Sequence, residues 1–175
     1  MRTKYLLTAA VLGGVVSFAW GSVSHVALML PGTEPRAFAD SNAVVQLVKA
    51  NAPENGIYFD GRGLFAAVAF RSDMGQKFTS LAPSLLRQFG VEIVVAFILA
   101  WVLLRLPGIT AFQTGILFAI VGVAAGVEEL VPMHIWYGYS HSSIAAEGID
   151  LIVGWMLLGL VLGALRNRMA PAPAT

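Results

Sequence analysis

Four apolar stretches interrupt the chain, and its polar residues are arranged around them. They cover about 5–30 (YLLTAAVLGGVVSFAWGSVSHVALML), 88–106 (QFGVEIVVAFILAWVLLRL), 109–130 and 148–165. Each approaches the roughly 20 mostly apolar residues that cross a hydrocarbon core of about 30 Å. Inside a bilayer the backbone finds no water to bond, so each stretch is expected to be a helix. Leu106-Pro107-Gly108 separates the second from the third, and Pro132 is expected to close the third. The pattern predicts an all-α membrane protein. Four transmembrane helices form a bundle, 1–175 is a single integral membrane domain, and 31–87 is a small extracytoplasmic cap between helices 1 and 2.

Within 31–87 the periodicity changes. Asp40-Ser41 offers a helix N-cap, and Ala43, Val44, Leu47 and Val48 mark one face of a short amphipathic helix. Pro53 and Asn55-Gly56 then signal a turn. GIYFD and LFAAVAF flank Gly61-Arg62-Gly63, the pattern of a β-hairpin with a glycine-containing loop. A second short helix is expected around Ser80 to Leu86, with Pro83 in its first turn, running into the second span. The apolar run LFAAVAF is expected to cover helix tops, the membrane surface or a partner.

Small residues mark where helices approach closely in lipid, where packing replaces the hydrophobic drive. Gly122 and Gly126 in the third span, and Gly159 and Gly163 in the fourth, are spaced four apart. The first span adds Gly13, Gly14, and the pair Ser17 and Gly21. The second has few small residues, which leaves a face for lipid, a membrane-protein partner or a second copy.

Composition agrees with this reading: 57% of residues are apolar and only 12% charged, against about 25% charged in soluble domains. Mean hydropathy is +0.75. The net charge of +1 says little, but its distribution says more. Arg2 and Lys4 precede the first span, Arg105 lies at the turn after the second, and Arg166 and Arg168 follow the fourth. The connection between the third and fourth spans has no basic residue. Positive charge in short loops stays inside, so both termini are expected in the cytoplasm. The start MRTKYLLTAAVLGG also has the form of a signal peptide. Its apolar run outlasts the usual 7–15 residues, so an uncleaved first span is expected. The absence of cysteine removes disulfides, thiolate metal sites and cysteine nucleophiles. Nucleic acid is not an expected partner, because the outer rim is acidic.

That rim is the stretch GVEELVPMHIWYGYSHSSIAAEGID, Gly126 to Asp150. It holds Glu128, Glu129, Glu147 and Asp150, with His134 and His141 and no basic residue. His25 reaches the same level, about 30 Å along the first span from Tyr5. Glu92 enters about one turn into the second span, where an ionisable side chain is costly. Arg87 and His25 are its expected partners. The metal-ligand candidates are therefore His25, Glu92, Glu128, Glu129, His134, His141 and Asp150. Histidine and carboxylate together suit zinc, iron or manganese, and Glu92 with a histidine suits a proton relay. Glu147 and Asp150, three apart, share a face if the fourth helix begins early enough. Gly138 and Pro132 argue against a regular helix aligning His134 with His141. The competing reading is that acids at helix ends simply meet water, beside Trp136, Tyr137 and Tyr139 in an aromatic belt.

No sequence signature of established chemistry is present: no phosphate-binding loop, dinucleotide fingerprint, G-x-S-x-G or H-E-x-x-H. Ser140-His141-Ser142-Ser143 does not by adjacency make a triad. No resident cofactor is expected, beyond a metal ion at the rim. FAWGSVSH at 18–25, GIYFD at 56–60, and IWYGYS followed by DLIVGWMLLGLVLGAL resemble a group of uncharacterised small bacterial four-helix integral membrane proteins. Ser140 stands where that group often has proline. The resemblance implies a fold and a multi-pass place in the cell inner membrane, and it implies no activity. Two readings follow: a non-enzymatic structural or accessory membrane component, and a metal-binding, proton-relay or redox component using the His/carboxylate cluster.

Because the natural chain has no cysteine, single-cysteine variants report sidedness cleanly. In intact cells or spheroplasts, Ser140→Cys should react with a membrane-impermeant maleimide. Arg168→Cys should react only after the membrane is opened; the reverse pattern would invert the topology.

Overall fold

The computed structural model describes residues 2–30, 37–71, 78–106 and 108–169, with the backbone alone at 78–80. Glu34, Asp73 and Pro107 lie outside the described residues. The chain divides into two units, 1–33 with 83–175, and 34–82. The structure is mostly helical, and four helices are long and apolar enough to cross a membrane: Arg2–Leu28, Leu81–Leu103, Ala111–Tyr137 and His141–Met169.

In the first unit, α1 (Arg2–Ser22) continues as a π-helical stretch, Val23–Leu28, and stops at Met29 in the left-handed region with φ 42°. α3 runs unbroken through Phe78–Leu103 with Pro83 inside it. α4 (Ala111–Tyr137) starts on a capping box. Gln113 donates its backbone N–H to Thr110 Oγ1, while Thr110 N–H donates to Gln113 Oε1. Pro132 does not end this helix as expected. A proline costs one backbone bond and a local bend; the helix absorbs this and continues to Gly138, which takes φ 70° and donates its N–H to the His134 carbonyl. α5 (His141–Met169) begins directly after a short turn, with Ser140 Oγ accepting Ser143 N–H. The serine-rich SHSS segment is thus a helix cap.

Glycine sets the contact between α4 and α5. A Cβ added at Gly159 would lie 2.7 Å from the Thr114 carbonyl oxygen and 2.9 Å from Phe118 Cβ. One at Gly163 would lie 2.8 Å from Ala111 Cα. Neither helix has room for a methyl group there, so the backbones touch. Gly122 meets Ile152 and Trp155 in the same way, more loosely. α3 reaches α1 through the notch at Gly13 and Gly14, which receives Ala96 and Ile93. Ala96 and Ala100 are fully buried, so the second span does pack inside the unit through its alanines. The Ser17/Gly21 pair does not serve packing, since nothing approaches Gly21. The core joins Tyr5 and Ala9, Ala96, Ala100 and Leu103, Phe118, and Leu158 and Leu162.

One end of this unit is closed by Arg166, which is 6% exposed. Its guanidinium donates to the carbonyls of Leu106 at 2.5 Å, Leu103 at 3.4 Å, and Ile109. These carbonyls lie at the end of α3 and in the turn that leads to α4, and a cation at a helix C-terminus also meets the negative end of the helix dipole. Tyr5 Oη donates to the Leu162 carbonyl beside it.

The second unit contains α2 (Ser41–Asn51) and an antiparallel hairpin of β1 (Gly56–Phe59) with β2 (Phe65–Val68). Ala43 N–H donates to Asp40 Oδ1 at the start of α2. Gly56 pairs with Val68 and Phe59 with Phe65. Asp60 organises the turn by accepting the N–H groups of Arg62, Gly63 and Leu64 on one oxygen. These bonds favour the charged carboxylate and hold its pKa below the usual 3.8.

Three outcomes are expected. Gly159→Ala should destabilise the detergent-solubilised protein by about 1–3 kcal/mol through overpacking, read by thermal or SDS unfolding. Gly90→Ala, with open space around it, should be neutral or stabilise by up to about 1 kcal/mol. In a pH titration by NMR, the amide shifts of Arg62, Gly63 and Leu64 should share a midpoint below the normal aspartate value. Because the folded value is depressed, the turn's stabilisation is complete above the unfolded value and is lost as pH falls through the folded one.

Candidate metal centre

His25 sits in the π-helical stretch that ends the first span. On a regular α-helix, five residues would carry it about 140° past Trp20. Beyond Ser22 the wider winding of i→i+5 bonds advances each residue by less, which turns His25 partly back toward the face that Trp20 occupies. Trp20 fixes that face against α5. Its indole N–H donates to the Asp150 carbonyl at 3.0 Å, and its ring lies against Gly154, where a Cβ would come within 3.0 Å.

The side chains that follow converge. One ring nitrogen of His25 and one carboxylate oxygen each from Glu147 and Asp150 lie within 4.8 Å of one another. α5 begins at His141, early enough for Glu147 and Asp150 to share a face. Asp150 Oδ1 is buried and has no hydrogen-bond partner among the described residues. A buried carboxylate oxygen left this way costs free energy that a cation would offset. His25 Nδ1 is 2.9 Å from Ser24 Oγ and 3.2 Å from the Gly21 carbonyl. With the proton on Nδ1 shared between these acceptors, the Nε2 lone pair is free. Metal-binding imidazoles are oriented in this manner, with the other nitrogen donating to a carbonyl.

The remaining candidates go elsewhere. Glu92 accepts a 2.6 Å hydrogen bond from Gln88 Nε2, one turn earlier on α3, in place of the expected Arg87 or His25. Glu128 and Glu129 are both exposed. No regular helix aligns His134 with His141, as expected from Gly138, yet the two meet across the turn between α4 and α5. The left-handed Gly138 folds the chain back, and the two rings stack with centroids 4.2 Å apart. His134 Nδ1 is 2.7 Å from the Tyr139 carbonyl oxygen. Among the described residues, the three-donor group of His25, Glu147 and Asp150 has metal-ligand spacing. Glu147 was not among the sequence candidates. Its signal was the three-residue spacing to Asp150, and what was missing was the start of α5.

Fold and site together define a helical protein with four candidate membrane spans and a His/carboxylate group between the end of α1 and the start of α5. No family model matches the chain, and no curated protein or solved structure shows significant similarity to it.

Proposed function

We propose that this chain is a multi-pass protein of a bacterial inner membrane, with both termini in the cytoplasm and the 31–87 segment outside. In this reading it is an accessory membrane component that holds a divalent metal ion at the outer end of its helices. The orphaned, buried Asp150 Oδ1 beside His25 and Glu147 carries the reading. One imidazole with two carboxylates suits zinc, manganese or ferrous iron. Tetrahedral bonds of about 2.0–2.1 Å set donors roughly 3.4 Å apart, so an ion would draw the exposed His25 ring inward. Three protein donors leave a position for water or an external ligand. An ion there would tie the π-helical end of the first span to the start of α5. The sidedness rests on Arg2, Lys4, Arg105, Arg166 and Arg168 gathering at the other end.

Isothermal titration of chelator-treated, detergent-purified protein with Zn²⁺ or Mn²⁺ tests the site. One ion per chain is expected, with affinity reduced at least about tenfold by Asp150→Asn or His25→Ala, the scale on which even outer partners of a metal act. Glu128→Gln should bind as the natural protein does. Absence of saturable binding, or binding indifferent to Asp150→Asn, would remove this reading.

A further inference from the structure

At the opposite end of the helices lies a second polar feature. The first turn of α1 and the last turn of α3 enclose a cavity of about 330 Å³ lined by Arg2, Leu6, Trp101, Leu104 and Arg105. Its composition is unusual for this chain: two guanidinium groups face a cavity whose other walls are apolar. Arg105 stacks on the Trp101 ring, 4.7 Å from the guanidinium carbon to the centroid. Stacking holds the group in place by cation–π attraction while its N–H edges stay free to donate. Among the described residues no carboxylate pairs with Arg2 or Arg105. α1 also begins here, at Arg2 and without an acidic residue in its first turn, so its unsatisfied N–H groups and positive dipole end add to the local potential.

We propose that this cavity binds a phosphate group, in the form of the phosphodiester of an anionic phospholipid. Guanidinium groups match phosphate oxygens in bidentate geometry, which accounts for the two arginines. Leu6, Leu104 and Trp101 account for the rest, because free phosphate has no use for apolar walls and the glycerol backbone and upper acyl chain do. The position fits as well: Arg105 closes a span that ends at Leu103, at headgroup depth, where tryptophan is also at home. Basic pockets between membrane helices take anionic headgroups in this way. The site is independent of the metal centre, sharing no residue with it, so either can fail alone.

Native mass spectrometry of the full chain, incubated with equal amounts of phosphatidylglycerol and phosphatidylcholine, provides the test. The natural protein should retain phosphatidylglycerol preferentially. The double variant Arg2→Gln with Arg105→Gln should lose roughly tenfold to thirtyfold of that preference, from about one lipid-charge interaction per arginine. Both side chains are exposed, and circular dichroism verifies that the helices remain. The double variant Lys4→Gln with Arg168→Gln, which removes the same two charges from the same end outside the cavity, should retain the preference. A loss as large as the cavity variant's would assign the effect to diffuse charge and overturn the proposal. Displacement of the lipid by excess inorganic phosphate would assign the cavity to free phosphate and overturn the lipid form; persistence of the lipid adduct supports it. Equal retention of both lipids by the natural protein would sink the proposal outright.

Discussion

Backbone contact between α4 and α5 is the constraint from which the rest of the helical unit follows. In lipid there is no hydrophobic drive to push apolar helices together, so close packing has to come from surfaces that fit. Gly159 and Gly163 let α5 settle onto Thr114, Gly115 and Ala111 at distances that no side chain would permit. Once α5 is set there, an adjacent face offers Leu158 and Leu162 to Gly13 of α1, and its Gly154 forms the notch for Trp20. α3 then completes the core through Ala96, Ala100 and Leu103. Moving α5 outward by a methyl group would loosen each of these contacts in turn.

The two ends of the unit solve the polar problem differently. At one end Arg166 is buried, yet the carbonyls where α3 stops and Ile109 follows supply its acceptors, so the charge and the open helix end satisfy each other. At the other end Asp150 is left with an oxygen that nothing among the described residues satisfies. A buried group that is paired stabilises, whereas one left unpaired marks a place where something else binds or protonates. The asymmetry is between a buried charge that the fold itself satisfies, at Arg166, and a buried oxygen that it leaves open, at Asp150.

Several features were readable from local pattern. The capping group at Asp40, the glycine pairs of the third and fourth spans, and the sites of the four apolar helices all follow from residue type and spacing. Pro132 was misleading because a proline's effect depends on whether neighbouring structure tolerates the lost bond, and here α4 continues for five more residues to Tyr137. Glu92 was misleading for a related reason. Its placement in an apolar run implied a basic partner, Arg87 or His25, and the neutral amide of Gln88 on the same helix supplied one instead.

By itself the sequence determined that the chain forms long apolar helices, how many there are, and that the connection between the third and fourth carries acids and histidines but no basic residue. These follow from length, hydropathy and charge, which are additive along the chain and need no knowledge of neighbours. Only the tertiary structure decided which ionisable groups meet. His25 joins Glu147 and Asp150 because a π-helical turn rephases the end of α1 and Trp20 locks it to α5. His134 reaches His141 because Gly138 reverses the chain. Those encounters depend on angles of rotation between residues far apart in sequence, and a periodic pattern of apolar positions, nearly uniform around each of these helices, does not specify rotation.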